Sequence, residues 1–411
     1  MNERASLVRR LGAALIITGT CIGAGMLVIP LTTAALGFVF ASILLLVIAL
    51  LMTATAFLIA EVNLDMPDGT NFSTMAKMTL GRPGQIVAWI SFLLLMYALT
   101  AAYTAQGSSL LGVWLSDINI ITPMWFNSLI YIFIMGAFVY TGAFAVDCIN
   151  KFLIIFKFLA FFSLAIFISP YVQKTLIMAK TSNIDYLWIT LPLLITSFGY
   201  HTVLPSMRSY LHSNKKDLYT AIILGGFVIP MLVYIVWEAI TLGTIPLFSN
   251  SNNSFEYIVN HGNDITALIA TYHSSYNLFS LDAFATTFTS IAITTSFLGV
   301  TLGLFNFNQD TYKLTKTNHK SKMLVFAITY LPPFIFAVYY PRGFVMALGY
   351  ASIFVAILLI SLPAMMAWKV RQKKGTNTLL SKAYLTVIVL AGLLMIVLQI
   401  GTQLNLLPSF V

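Results

Sequence analysis

Eleven long apolar runs dominate this sequence and restrict its fold class. They lie at about 11–35, 38–62, 86–114, 123–142, 152–171, 186–211, 218–245, 281–305, 324–340, 343–368 and 383–406. Each run is near the roughly 20 residues that an α-helix needs to cross a bilayer. The chain of 411 residues is 59% hydrophobic and only 9% charged. These values are typical of a multi-pass membrane protein and exclude a soluble domain of this length.

The first apolar run is interrupted well inside the chain segment that should cross the membrane. Residues 18–30 read TGTCIGAGMLVIP, with three glycines in seven residues and Pro30 five residues later. Glycine and proline weaken a helix, and lipid cannot satisfy the freed backbone groups. Two interpretations fit this pattern: a broken helix at a transporter's binding site, or a close helix crossing through small residues.

A second interruption lies in the sixth apolar run. Residues 196–205 read TSFGYHTVLP, again with a glycine, small hydroxyl residues and a proline. Inverted-repeat transporters have paired interruptions at corresponding positions of their two halves. The pair therefore favours the binding-site interpretation of both segments.

The basic residues predict how the chain is oriented. With a cytoplasmic N-terminus, eleven spans place 19 of the 22 Lys and Arg residues in cytoplasmic segments or just inside the adjoining helix ends. The exceptions are Lys174, Lys180 and Arg342. This positive-inside bias predicts a cytoplasmic N-terminus and a periplasmic C-terminus. It also explains the net charge of +9 without a nucleic acid partner.

No motif in the chain indicates an enzyme. There is no P-loop, zinc-ligand spacing or nucleophile elbow, and Cys21 and Cys148 suggest neither a disulfide framework nor a metal site. We therefore expect no catalytic residue, no metal and no cofactor. Two connections are expected to contain short helices: the segment at 65–84, and the long loop at 246–280 that would cover the site.

Three segments carry a family resemblance: GTCIGAGML at 19–27, LLMYALTAAY at 94–103 and TSFGYH at 196–201. Together they resemble the hydroxy and aromatic amino acid permeases of the amino acid–polyamine transporter superfamily. Within that family the chain is most similar to the bacterial tyrosine-specific permeases, with the tryptophan permeases next. The resemblance runs from about residue 8 to residue 406.

The resemblance implies an all-α, LeuT-like membrane fold in a single domain. Two inverted repeats of five spans would cover about 11–171 and 186–369, with broken first and sixth helices, and an extra helix would follow at about 383–406. Family members import aromatic amino acids with protons through the bacterial inner membrane. The implied partners are therefore an aromatic L-amino acid, protons and the lipid bilayer, while the oligomeric state stays open.

An amino acid zwitterion needs opposite partners at its two ends. Backbone N–H groups at the start of a half-helix suit the carboxylate, and the candidates are Gly23, Ala24 and Gly25. Carbonyl groups at half-helix ends suit the ammonium, and the candidates are Thr20, Cys21, Ser197 and Phe198. Small residues such as Gly199 let the backbone approach the ligand.

The aromatic side chain of a substrate needs an apolar slot with stacking faces. The candidates are Tyr97, Tyr103, Phe198 and Tyr200. A tyrosine hydroxyl would need a buried partner, for which Gln106 and His201 are candidates. Ordinary packing is the alternative for each aromatic residue, because the chain has 31 Phe and 19 Tyr. For His201, ligand contact or structural support is favoured over a role as proton carrier.

Charged residues inside the membrane mark candidates for coupling, since each costs about 2.5–3.5 kcal/mol at a helix centre. Lys157 lies about two turns inside the fifth span, and it resembles a fifth-helix lysine found in proton-coupled members of the superfamily. Its alternative is snorkelling to the cytoplasmic face. Glu238, late in the seventh span, either titrates during transport or pairs with a hydroxyl group. A sodium site also stays open on the hydroxyl-rich eighth span, at Thr286, Thr287, Thr289, Ser290, Thr294 and Thr295.

The predicted function is proton-driven import of an aromatic amino acid, tyrosine first, by alternating access around the two breaks. The alternatives are a tryptophan or broader neutral amino acid permease, sodium coupling, and an amino acid receptor without transport. A channel is disfavoured, because it would need a continuous polar path, and the two breaks and the lone Lys157 argue against one.

Overall fold

The computed structural model describes residues 3–179, 184–248, 254–260, 265–276, 279–312 and 319–407. Every regular element in these ranges is helical. Among the described residues, ten helices are long and apolar enough to cross a membrane, and one bent pair at the N-terminal end gives up to eleven spans. The predicted class and the predicted order of spans are therefore confirmed, with ends that differ by several residues.

The first five spans use six helices. Their bounds are α1 Glu3–Cys21, α2 Gly25–Thr33, α3 Phe38–Leu64, α4 Phe72–Asp117, α5 Met124–Thr141 and α6 Ala143–Ile168. The first span consists of α1 and α2, which are bent by 52° at the break between them. In α4, Gly81 has a φ of 74° and separates residues 72–80 from the long part of the helix. This conformation favours glycine, and it creates the short helix predicted between the second and third spans.

The remaining spans follow in the same order as in the sequence. The helices of these spans and of their connections are α7 Lys174–Ile177, α8 Tyr186–Thr196, α9 Leu204–Tyr210, α10 Lys215–Ile222, α11 Ile229–Leu242, α12 Phe255–Asn260, α13 Ile265–Tyr276, α14 Phe279–Thr311, α15 His319–Tyr339, α16 Phe344–Val355, α17 Leu362–Lys373 and α18 Leu379–Gln403. A 3₁₀ turn at Tyr200–Val203 joins α8 to α9. The short α12 and α13 fall in the loop where short helices are predicted.

The first, sixth and seventh spans pack so closely that glycine is required between them. A Cβ atom at Gly225 would lie 2.2 Å from the carbonyl oxygen of Ala14, and one at Gly226 would lie 2.3 Å from Cζ of Tyr200. Both glycines belong to a π-helical turn at Ile223–Val228. The Thr18 hydroxyl donates a hydrogen bond to the Gly225 carbonyl at 3.2 Å. Small residues and interhelical hydrogen bonds of this kind replace the hydrophobic effect inside a membrane.

Charged side chains join the ends of several spans at one end of the bundle. The ion pairs are Arg10 with Asp217 at 2.8 Å, Arg371 with Glu61 at 2.6 Å, and Lys374 with Asp65 at 2.5 Å. Nearby, the Ser209 hydroxyl donates to Asp68 at 2.6 Å. This bond, assisted by the guanidinium of Arg208, holds the pKa of Asp68 below its ordinary value. The most exposed of these pairs, Lys374 with Asp65, contributes little stability, so its main effect is on which span ends meet.

The glycine contact gives a direct test of this packing. We expect Gly225→Ala to lower the free energy of unfolding by about 1–3 kcal/mol, because the new methyl group meets backbone atoms that cannot rotate away. Gly299→Ala is the matched control, since a Cβ atom there meets nothing within 4 Å. Thermal unfolding of the purified protein measures both changes, and equal midpoints for the two variants would contradict the close crossing.

Candidate functional site

The first span unwinds over residues 22–24, between α1 and α2. The N–H of Gly23 donates to the Cys21 carbonyl at 2.9 Å, and the N–H of Ala24 donates to Oγ of Ser296 on α14 at 2.9 Å. A Cβ atom at Gly23 would lie 2.6 Å from the same hydroxyl oxygen. Glycine at this position therefore allows α14 to approach the break and to satisfy one of the freed backbone groups.

The sixth span unwinds over residues 197–199, directly against the first break. The Ser197 hydroxyl donates to the Gly25 carbonyl at 3.0 Å, and a Cβ atom at Gly25 would lie 3.2 Å from Cα of Ser197. The thiol of Cys21 lies 3.7 Å from the Ser197 carbonyl oxygen. In the described part of the chain, no hydrogen bond to the N–H of Gly25 is found. The two interruptions picked out in the sequence are therefore in contact, with one helix-start N–H group still available.

A single tyrosine hydroxyl connects the two breaks. Tyr234 on α11 is fully buried, and its hydroxyl lies 2.7 Å from the Cys21 carbonyl oxygen and 2.6 Å from the Ser197 carbonyl oxygen. It shares its proton between two acceptors that the helix breaks have freed. Phe198 packs edge-to-face against the Tyr234 ring, with centroids 5.1 Å apart.

Sequence reasoning missed both Tyr234 and Ser296. Tyr234 is one of 19 tyrosines, and it lies in an apolar run with no spacing that relates it to either break. Ser296 lies one residue beyond the eighth-span hydroxyls that were considered for sodium. The only sequence signal for Ser296 is the general richness of that span in hydroxyl groups.

The amine of Lys157 also reaches the first break. The side chain is 1% exposed, and its Nζ atom donates to the Ile22 carbonyl at 2.5 Å. Among the described residues, no carboxylate forms an ion pair with this amine. The side chain is turned into the bundle, so snorkelling does not describe its position.

Glu238 is a second buried ionisable group, one helical turn after Tyr234 on α11. One carboxyl oxygen accepts a hydrogen bond from the Thr33 hydroxyl at the end of α2. The other oxygen, Oε2, is buried and has no hydrogen-bond partner among the described residues. Burial of an incompletely paired charge is costly. Lys157 and Glu238 therefore contact different parts of the first span: Lys157 contacts the break at Ile22, and Glu238 contacts the end of α2 at Thr33.

Other candidates from the two breaks face neighbouring helices. Nε2 of His201 lies 2.8 Å from the Thr55 hydroxyl, which joins the sixth span to α3. Tyr200 is buried against Gly226. The Thr20 hydroxyl donates to the carbonyl of Ile16 in its own helix, and the side chain is exposed. The hydrogen bond between His201 and Thr55 is a structural contact, one of the two roles that the sequence favours for this residue.

The third-span candidates are spread along α4. The Tyr97 hydroxyl donates to the Ile328 carbonyl on α15 at 2.9 Å. Tyr103 is buried in the interior. Nε2 of Gln106 donates to the hydroxyl of Thr266 on α13 at 3.1 Å, while Oε1 of Gln106 is buried without a partner among the described residues. The hydrogen bonds of Tyr97 and Gln106 are therefore made to α15 and α13 rather than to the breaks.

Two broken spans, packed against each other around buried polar groups, define a LeuT-like membrane transporter with one added C-terminal helix. The structure is similar to the crystal structure of a manganese transporter from Eremococcus coleocola, with a TM-score of 0.60 at 13% identity. The match covers 98% of this chain and 89% of that chain, and it shows the shared fold.

Sequence comparison identifies the family. The profile of the tryptophan/tyrosine permease family matches residues 8–406, and the chain belongs to this family. It is 34% identical to tyrosine-specific transport system 2 of Haemophilus influenzae, over 89% of each chain. It is 31% identical to the tryptophan-specific transport protein of the same species, over 97% of each chain. The chain is therefore a multi-pass bacterial inner-membrane permease of amino acids, and its relatives are transport proteins rather than enzymes.

The bridging hydroxyl predicts a specific loss of stability. We expect Tyr234→Phe to lower the free energy of unfolding by about 0.5–1.5 kcal/mol, because the two buried carbonyl groups lose the hydroxyl donor that they share and keep only the Gly23 N–H and the Cys21 thiol. Tyr339→Phe is the control, since that side chain is 76% exposed. Thermal unfolding in the same detergent compares the two variants. Identical midpoints would mean that the Tyr234 hydroxyl does not hold the breaks together.

Proposed function

We propose that the chain imports an aromatic L-amino acid, tyrosine first, in symport with protons. The contact between the two breaks is the observation that carries this proposal. It brings the N-terminal end of α2, at Gly25, to within a few ångströms of the carbonyl ends of α1 and α8, at Cys21 and Ser197. Helix starts carry partial positive charge and helix ends partial negative charge, so the site suits both ends of a zwitterion.

In this proposal the substrate carboxylate binds at the start of α2, where the N–H of Gly25 is available. The substrate ammonium binds at the carbonyl ends of α1 and α8, at Cys21 and Ser197, beside the Tyr234 hydroxyl. Tyr103 and Phe198 are the proposed contacts for the aromatic ring.

Lys157 and Glu238 are proposed to couple the proton to movement. A protonated amine is a stronger hydrogen-bond donor than a neutral one, so proton loss from Lys157 weakens its hydrogen bond to the Ile22 carbonyl, directly after α1. Glu238 holds the far end of α2 through Thr33. Alternating access then follows as the two halves of the first span move separately about the break. The proposed N-terminus is cytoplasmic, supported by the distribution of 19 of the 22 basic residues.

Tryptophan is the second candidate substrate, and a broader range of neutral amino acids is a further alternative. The similarity to a tryptophan-specific protein over 97% of both chains supports tryptophan about as well as tyrosine. Sodium coupling is also kept as an alternative, through the hydroxyl groups of α14. Proton coupling is preferred because the Lys157 amine already occupies the Ile22 carbonyl at the break.

Substrate and driving ion are tested together in proteoliposomes. We expect labelled tyrosine to accumulate under an inward proton gradient without sodium, and a protonophore to abolish the accumulation. Unlabelled tryptophan, phenylalanine, leucine and serine as competitors rank the substrates. Uptake that requires sodium would reject proton symport, and tyrosine binding without flux under either gradient would support a receptor.

Lys157 is tested by a change that removes its charge but keeps a donor for Ile22. We expect Lys157→Gln to abolish uphill accumulation while retaining tyrosine exchange across the membrane. Lys151→Gln is the matched control on the same helix, because its side chain is 74% exposed and pairs with Asp147 at 2.6 Å. Proton-driven accumulation at the wild-type level in Lys157→Gln would exclude this residue from coupling.

A further inference from the structure

A separate cavity lies where the start of α4 meets α9 and α14. Its volume is about 500 Å³, within the range of roughly 300–1,000 Å³ that small-molecule sites occupy. Thr202 and Ser206 line one wall. Because Thr202 comes three residues after Gly199, the cavity begins about one turn beyond the sixth-span break.

Three aromatic rings form the apolar side of this cavity. The Phe307 ring on α14 lies 5.3 Å from Trp89 and 5.2 Å from Phe92, both on α4, as measured between centroids. All three side chains line the cavity and are only partly buried. The tilted rings therefore keep exposed faces, against which another aromatic ring can pack.

The start of α4 forms the polar side. The Asn71 side chain accepts a hydrogen bond from the N–H of Thr74 at 2.9 Å and so caps the helix. The N–H groups of Phe72 and Ser73, in the first helical turn, have no partner within the helix. Both residues line the cavity. A helix start with such N–H groups attracts a carboxylate.

We propose that this cavity is a second, lower-affinity binding site for an aromatic amino acid. The ring packs among Trp89, Phe92 and Phe307, and the carboxylate binds at the N-terminal turn of α4. The inference takes its substrate class from the proposed function. It adds a second binding position on the proposed route of the substrate, which would leave the sixth-span break and reach the cavity along α9.

The test follows whether tyrosine shields the cavity from a thiol reagent. A reporter thiol is introduced by Ser206→Cys, whose position is exposed, in a Cys148→Ser background because Cys148 is the exposed native thiol. The rate of maleimide labelling is measured against tyrosine concentration in the purified full-length protein. We expect tyrosine and tryptophan to slow labelling at concentrations above those that saturate the central site, and leucine to have little effect.

Further variants separate direct occupancy from coupling to the central site. Phe307→Ala should raise the tyrosine concentration for half-protection about tenfold, because one packing face is lost. Phe307→Tyr should restore protection, and Phe138→Ala, whose side chain is 36% exposed on α5 and does not line the cavity, should leave it unchanged. Gly25→Val blocks the central site, since a Cβ atom there meets Cα of Ser197 at 3.2 Å. Protection that persists in Gly25→Val supports a site in the cavity itself.

Two results overturn the second site while leaving the proposed function intact. One is high-affinity tyrosine binding without any protection of the reporter thiol. The other is protection that disappears in Gly25→Val. Labelling that is slow without amino acid, and fast only after lipid removal, would assign the cavity to lipid and also reject the proposal. Absence of high-affinity binding of tyrosine and tryptophan in the wild-type protein would instead defeat the proposed function, and the second site with it.

Discussion

Backbone groups that leave a helix inside a membrane must find partners in the protein, and this constraint organises the centre of the molecule. The Tyr234 hydroxyl is the hydrogen-bond partner of two such carbonyl groups, one from each broken span. Oγ of Ser296 accepts a hydrogen bond from an N–H group of the first break, and the Lys157 amine donates one to the Ile22 carbonyl. Three other spans therefore contribute to the same few residues. A break that lipid would not tolerate becomes stable because these partners surround it.

In the proposed mechanism, the same arrangement lets the two halves of the first span move separately. Different groups contact the two ends of the break and of α2: Lys157 binds the Ile22 carbonyl directly after α1, and Glu238 binds Thr33 at the end of α2. Each of these groups is ionisable and buried, so its hydrogen bond changes when a proton is gained or lost. Structural support and proposed coupling thus depend on the same atoms. A transporter needs this combination, because a rigid centre could not alternate and an unsupported one would not fold.

The candidate residues lie together where they are neighbours in sequence and lie apart elsewhere. Gly23, Ala24, Gly25 and Ser197 lie at the contact between the breaks, because the segments that hold them are locally unable to stay helical. Tyr97 and Gln106 instead make their hydrogen bonds to α15 and α13. The position of a residue along α4 sets its depth in the membrane. The rotation of that helix against its neighbours decides which side chains face the centre of the bundle.

The sequence by itself determined the number and order of the spans, the two interruptions and the family. These properties depend on local composition, since hydrophobic length sets a span and glycine or proline weakens it. Only the tertiary structure decided that Tyr234 bridges the breaks, that Gly225 lies against Ala14, and that Lys157 points inward. Each of these contacts joins residues distant along the chain. Their geometry depends on how whole helices pack, which no local pattern of residues specifies.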